Sequence, residues 1–389
     1  MRSNPIKVLH LSTNNEECGI AIYQQNIVDG MGQNHPVENE FFDISPNKLK
    51  LMSGTELDAA IDKLLHQLNG FDVLHIQHEY SFYNGNQLQR IVDGAKGVGK
   101  KVMFTLHTPP HAHRRGVSRR LRLTPHPRSW VNAKRAANGD KEFVTTYITP
   151  LMSADLLVTT SRASIESFAS YGVDPSKMVV VELPVPKVKR GLSTTDITDN
   201  LQRRSGDIIL STAGFLSETK GIIPALKALV LLPSNYKLAL IGGAHPSGQN
   251  DAFYDHVCDV MLDLGLRERV YITGYVQEDD RRDALIRETD ICLYPYDRGY
   301  YDYVSSAALT NAIANDVPIV AYKTKTFIEM DDAEPFLNFS QSANYYELAR
   351  TVRSVDIAES IKRTKHYAEK FSVEKQAAKF AELYQQLTA

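Results

Sequence analysis

Residues 290–322 read Asp290-Ile-Cys-Leu-Tyr-Pro-Tyr296, a loop over 297–304, Ser305-Ser-Ala-Ala-Leu-Thr-Asn-Ala-Ile-Ala314, then Asn315-Asp-Val-Pro-Ile-Val-Ala-Tyr322. The first piece is a short apolar run that stops at Pro295, as a buried strand does. In the middle piece Ala308, Leu309, Ala312 and Ile313 recur at helical spacing. The last piece is a second apolar run. Strand, helix and strand in so few residues predict a βαβ unit, and in sheets made of such units a ligand sits beyond the carboxyl ends of the strands. The helix is expected to open on Ser305, Ser306 and Ala307, small residues that leave backbone N–H groups approachable by an anion. From this segment alone two readings stand: a phosphate seat at residues 305–308, or a serine N-cap on a core-facing helix.

The same alternation runs outward in both directions. Strands are expected at 6–12, 72–77, 102–106, 155–159 and 178–183. After a break they recur at 208–213, 237–241, 270–273, 291–294 and 318–321, with helices between them. This predicts α/β architecture with parallel doubly wound sheets. The break is Pro184-Val185-Pro186 and the polar run 187–207, which reads as a linker without a packed element. A first helix is expected at about 20–31, with Ile22, Tyr23, Ile27 and Met31 near one face. Two helices, about 357–370 and 373–387, close the chain.

Bulk properties narrow the class. A chain of 389 residues exceeds what one core organises, so two domains are expected. A formal charge of −2 gives no global pull toward nucleic acid or membrane, and the three cysteines, Cys18, Cys258 and Cys292, make no disulfide or metal spacing. A reducing cytoplasm is the expected setting. The first residues lack an apolar signal core, and no apolar run approaches the roughly 20 residues that span a bilayer.

Several strand ends carry ligand-type chemistry. The loop after the first strand ends on Cys18-Gly19, although no G-x-G-x-x-G is present. Residues 211–221, Ser-Thr-Ala-Gly-Phe-Leu-Ser-Glu-Thr-Lys-Gly, follow a strand and open a helix, with Lys220 placed to meet a phosphate. Gly242-Gly243 ends a further strand and Gly274-Tyr275-Val276 another. Convergence of these with the Ser305 helix on one sheet edge predicts a nucleotide-type ligand.

Between Gly94 and Gly139 there is no acidic residue, while Arg114, Arg115, Arg119, Arg120, Arg122 and Arg128 cluster there with Leu121, Leu123 and the only tryptophan, Trp130. Three readings stand: a surface for an anionic membrane, a pocket for an anionic small molecule or glycan, or a solvated loop. No DNA- or RNA-binding motif accompanies the charge, so nucleic acid is not an expected partner.

Taken together these segments resemble the GT-B glycosyltransferases of the retaining family 4 type (glycosyl transferases group 1). Cys18-Gly19-Ile20-Ala21-Ile22-Tyr23 is similar to that family's first Gly-rich loop. Ile76-Gln77-His78-Glu79-Tyr80 and Thr105-Leu106-His107-Thr108 resemble two further N-domain signatures. The 214–221 loop resembles the donor phosphate loop G-[RF]-x-x-x-x-K-G, and residues 305–320 resemble the helix that carries the E-x7-E motif. The resemblance implies two Rossmann-like doubly wound domains facing a central cleft: 1–186 for the acceptor, with the last helix, about 371–389, packing back on it, and 187–370 for a nucleotide sugar. It implies that Lys220 clamps the diphosphate with Gly19, Gly214, Gly221, Gly242, Tyr275, Val276, Ser305, Ser306 and Ala307 around the donor, and that His107 lies over the reacting sugar. No metal or other cofactor is implied.

Two positions depart from the family. Asn311 stands where the second Glu of E-x7-E holds the ribose, and Tyr303, with Asp302 beside it, stands at the first. Asn311 can still hydrogen-bond a hydroxyl, and Asp302 replaces the first Glu if the loop shifts by one residue. The expected function is a hexosyltransferase-type enzyme that moves a sugar from a UDP- or GDP-linked donor, with retention, to a glycan or lipid-linked acceptor of a surface polysaccharide or glycoconjugate. Its expected location is the cytoplasm, peripheral on the inner face of the membrane. The alternatives are a GT-B subunit that has lost catalysis and binds a partner or ligand, or another GT-B chemistry such as epimerisation of a nucleotide sugar.

Overall fold

Runs of β-branched and leucine residues, each followed by an amphipathic helix, assemble two separate all-parallel sheets of six strands. The computed structural model describes residues 4–14, 18–32, 34–112, 141–244 and 251–389. The chain divides into two compact units, Met1–Leu183 with Val373–Ala389, and Pro184–Ser372.

In the first unit the strands are β1 (Ile6–Leu11), β2 (Val37–Phe41), β3 (Val73–His78), β4 (Lys101–Leu106), β5 (Leu156–Thr159) and β6 (Met178–Val180), in the order β2-β1-β3-β4-β5-β6. Because side chains alternate along a strand, β1 splits its residues between two cores. Leu9 and Leu11 face one, with Leu74, Ile76 and Phe104. Ile6 and Val8 face the other, with Ile27, Met31, Phe380 and Tyr384. That second core is closed by the last helix, Val373–Thr388, against the first, Gly19–Met31. Its residues Phe380, Leu383 and Tyr384 are buried, each contributing about 1.5–3 kcal/mol of transfer free energy.

The second unit holds β7 (Ile208–Ala213), β8 (Tyr236–Ile241), β9 (Val270–Ile272), β10 (Ile291–Tyr294), β11 (Ile319–Ala321) and β12 (Leu337–Phe339), ordered β12-β11-β10-β7-β8-β9. The strand order therefore reverses between β7 and β10. At such a reversal the connecting helices leave on opposite faces and open a crevice at the carboxyl ends. The quoted stretch supplies β10, the helix Ala307–Ala314 and β11.

Three expectations need correction. The edge strands β2 and β12 go beyond the ten strands read from the sequence. β2 is half solvated, with only Val37 buried, and β12 is three residues long, so neither makes a continuous apolar run. The polar run 187–207 contains a helix, Asp196–Asn200, which buries Ile197 and Leu201 under the second sheet. It is tied down by Lys237, whose ammonium pairs with Asp207 at 2.8 Å and donates to the Gln202 carbonyl at 2.9 Å. In the first helix Ile22 is 49% exposed and Gln24 takes the buried place beside Tyr23.

Candidate functional site

At the β7/β10 reversal two loops interlock. Gly221 has φ +67, and a side chain on it would collide with the Pro295 carbonyl. Asp297 N–H donates to Thr219 C=O at 2.8 Å. Gly214, with φ +101, lies directly beneath the Lys220 ammonium, so that any Cβ there would displace it. The same Cβ position lies 3.9 Å from Ala308 Cβ. Lys220 is thus folded back over Gly214 and brought next to the start of the helix Ala307–Ala314. Burial pushes its pKa down to about 8. Among the described residues no carboxylate or other acceptor meets the ammonium.

The helix start is built to present donors. Ser306 is its N-cap and accepts from Leu309 N–H at 3.3 Å. The N–H groups of Ala307 and Ala308 have no acceptor among the described residues, which leaves the positive end of the helix uncompensated beside a cation. Below it lies an aromatic bed. Tyr294 Oη donates to the Ala308 carbonyl at 2.7 Å, and Tyr296 packs on Tyr301 with ring centroids 4.0 Å apart. Ser306 thus caps the Leu309 N–H and leaves those of Ala307 and Ala308.

Around this centre, Gly242 abuts Gly214 and donates its N–H to Thr273 Oγ1 at 3.0 Å. Tyr275 is 47% exposed and stacks on Phe215 at 5.7 Å, within 5° of parallel. Val276 is half-buried, packed against the core. Asn311 is half-buried, and its side-chain amide has no partner among the described residues. Asp302 Oδ1 accepts from Lys325 N–H at 2.9 Å and lies 3.7 Å from Arg298 Nε. Tyr303 carries the Lys325 ammonium over its ring at 5.5 Å.

In the first unit the carboxyl ends of three neighbouring strands bring polar residues to one sheet face. Register pairs His10 with His75 and Gln77 with Thr105. His107 follows two residues after Thr105 and so shares their side. His107 Nε2 lies 2.7 Å from Gln77 Oε1, and its ring meets the edge of Tyr23 at 5.3 Å. Burial pushes its pKa down to about 3, with His78 adding to the shift, so the imidazole is neutral at physiological pH. Beside it, Thr108 Oγ1 donates to Glu79 Oε2 at 2.6 Å, and burial raises that carboxyl above its ordinary range. Gly19 opens the first helix behind the N-cap Cys18, whose Sγ accepts from Ala21 N–H at 3.4 Å. A side chain at Gly19 would meet no atom of the described residues within 4 Å.

The structure thus groups Gly214, Lys220, Gly221, Gly242, Ser306 and Ala307 at one crevice, and His107 with Gln77 in the other unit. Arg114, Arg115, Arg119, Arg120 and Trp130 lie outside the described residues. Gln24 and His10 behind His107 were not singled out by motif. Their only signal is periodicity, since Tyr23, Gln24, Ile27 and Met31 share a helical face and His10 shares strand parity with Val8. Among the described residues no group of three or more His, Cys, Asp or Glu could hold a metal ion, and no helix is long and apolar enough to cross a membrane.

Comparison with known proteins agrees with this architecture. Residues 34–187 match the family described as Glycosyltransferase Family 4, and residues 193–354 match Glycosyl transferases group 1. Among solved structures the chain is similar to HepE of Anabaena in complex with UDP (15% identity, 98% of this chain and 100% of that one, TM-score 0.68). It is also similar to a glycosyltransferase of Rickettsia africae (14%, 99% of each, 0.69) and to sucrose-phosphate synthase of Thermosynechococcus elongatus (15%, 99% of each, 0.63). At these identities the structural likeness concerns the fold. No curated protein matches the chain.

Proposed function

The chain belongs to the GT-B glycosyltransferases of the family 4 type, and from that premise we propose that it moves a sugar from a UDP- or GDP-linked donor to a glycan or lipid-linked acceptor with retention at the anomeric carbon. The observation that carries this reading is Lys220, a half-buried cation with no anion among the described residues, set over Gly214 beside the uncapped N–H groups of Ala307 and Ala308. A diphosphate supplies the missing charge and the missing acceptors at once. HepE, of the same fold, has been crystallised with UDP and with UDP and glucose.

In the proposed reaction the bond between the anomeric carbon and the phosphate oxygen breaks, and its electron pair leaves on the diphosphate. Lys220 and the helix start stabilise that charge as it grows, which is where stabilisation lowers the barrier. The acceptor hydroxyl oxygen forms the new bond from the face the diphosphate leaves, and its proton passes to the departing phosphate oxygen. His107, neutral and held by Gln77, is assigned to the reacting sugar by the resemblance alone. Asn311 hydrogen-bonds the ribose in place of a glutamate. No metal takes part, so turnover is expected to survive EDTA; loss of activity that Mg²⁺ or Mn²⁺ restores would show otherwise.

The acceptor is proposed to be an anionic or lipid-linked intermediate of a surface polysaccharide, met by the cytoplasmic protein at the inner membrane face through the basic segment that carries Arg114 to Trp130. Calorimetry with UDP, GDP and their sugars tests the donor assignment. Micromolar binding of one base and none of the other is expected, and failure of all of them to bind removes the proposal. Pelleting with anionic vesicles at low and high salt tests the membrane part, which does not survive salt-independent or absent binding.

A further inference from the structure

A chain of hydrogen-bonded side chains runs away from His107 into the first unit. His107 Nε2 meets Gln77 Oε1 at 2.7 Å, and Gln77 Nε2 donates to Gln24 Oε1. Gln24 Nε2 lies 2.9 Å from His10 Nδ1, and His10 Nε2 lies 2.8 Å from Asn39 Oδ1. Asn39 Nδ2 then reaches Met31 Sδ at 3.7 Å. His10, Gln24 and Gln77 are each at most 1% exposed, so water does not compete for the bonds among these three, while Asn39 and His107 at the two ends are half-buried.

Each of these amides and imidazoles could in principle be turned round, but they cannot be turned independently. A thioether only accepts. Met31 therefore takes the amide nitrogen of Asn39, which turns Asn39 Oδ1 toward His10. His10 must then carry its proton on Nε2 and accept on Nδ1. That requires an N–H from Gln24, whose oxygen is left for the N–H of Gln77. The oxygen of Gln77 is left for His107, which must donate from Nε2. Among the described residues nothing donates to His107 Nδ1.

We infer that Asn39, His10, Gln24 and Gln77 form a one-directional hydrogen-bond relay, anchored at Met31, that holds His107 in its Nε2–H tautomer and leaves Nδ1 to accept a substrate hydroxyl. Gln77, Gln24, His10 and Asn39 are then positioning residues for transfer, acting through His107. The tautomer follows from this unit alone. Its consequence for turnover rests on the reading of His107 as the residue over the reacting sugar.

Long-range ¹H–¹⁵N spectra of the full-length protein labelled with ¹⁵N-histidine read the tautomer directly, with His107 assigned by loss of its signal in His107→Asn. The expected wild-type spectrum at pH 7 shows His107 protonated on Nε2 only. Gln24→Met leaves the Gln77 amide only its 3.4 Å contact with His75 Nε2, which can accept from the amide nitrogen or, in its other tautomer, donate to the amide oxygen, and is expected to mix the two tautomers of His107. Gln24→Glu still accepts from Gln77 and is expected to keep one. Release of UDP from UDP-glucose should fall about fivefold in Gln24→Met with KM unchanged, the loss expected of one oriented hydrogen bond, and recover in Gln24→Glu. A wild-type His107 protonated on Nδ1 overturns the relay, and so does an unmixed tautomer in folded Gln24→Met. Should Gln24→Met fail to fold, the wild-type spectrum alone decides. Correct spectra with no turnover of any nucleotide sugar would count against the transferase site and leave the relay standing.

Discussion

Lys220 is the residue on which binding and stability pull in opposite directions. Its charge is half-buried and has no partner among the described residues, and an unpaired, partly desolvated charge costs the folded state. Lys220→Met is therefore expected to raise the melting temperature of the free protein by roughly 2–4 °C, the shift that about 1 kcal/mol gives in a domain of this size. The same change should weaken UDP or GDP binding by about 10- to 100-fold, the worth of a charged hydrogen bond. Thermal shift with and without nucleotide checks both signs together, and a variant that binds normally refutes the diphosphate role. Because the free ammonium titrates at about 8, nucleotide affinity should fall as pH rises through that value. Asn311 offers a gain instead of a loss. Its amide is unengaged among the described residues at the place where the family keeps a glutamate. Asn311→Glu should tighten nucleotide binding by about three- to tenfold, as a charged acceptor replaces a neutral one. An unchanged Kd would mean that the ribose is held elsewhere.

At the scale of elements, legibility followed burial pattern. β10, the helix Ala307–Ala314 and β11 could be read because their apolar residues repeat at strand and helix periods without interruption. The loop around Lys220 could be read for its glycines, yet the use of Gly221 could not. Its freedom serves a close passage past the Pro295 carbonyl, a tertiary fact with no local sequence mark. The first helix shows the opposite error. Ile22 is apolar and Gln24 polar, so composition puts the wrong one inside, whereas the 3.6-residue period from Tyr23 to Ile27 and Met31 puts Gln24 there. The buried histidines of β1 and β3 were hidden in the same way, polar letters inside apolar strands. They have a measurable consequence. Burial holds His10 at about 4 against 6.5 in the unfolded chain, and His75 is also pushed down. The unfolded state then takes up more protons between those values. The stability contribution is complete above 6.5 and is lost as pH falls toward 4, at up to about 1.4 kcal/mol per pH unit for each such histidine. Urea midpoints at pH 7 and pH 5 check this, and equal midpoints would contradict the burial of neutral imidazoles.

For the molecule as a whole, the chain's path matters more than its length. The second unit, Pro184–Ser372, is one continuous segment, whereas the first needs the last helix, Val373–Thr388, to complete it. That helix lies on the first so closely that a Cβ at Gly30 would come within 2.7 Å of Val373 Cγ1 and 3.0 Å of Ala377 Cβ. Its Tyr384 Oη lies 2.7 Å from His75 Nδ1, under the polar layer that carries His107. Removing the helix would expose Ile27, Met31 and Val8 and strip His75 of a partner, while the cores around β7 to β12 would lose nothing but the chain end. A chain ending at Ser372 should therefore lose amide hydrogen-exchange protection in β1, β3 and Gly19–Met31 and keep it in β7, β8 and β10. It should still bind a nucleotide through Lys220 and fail to transfer sugar. A milder probe asks the same question without deletion: Gly30→Leu forces the two helices apart and should destabilise the first unit by about 1–3 kcal/mol, the usual cost of overpacking, with nucleotide affinity unchanged. Loss of protection spread evenly over both sheets in either variant would mean that the two units do not fold as the separate cores described.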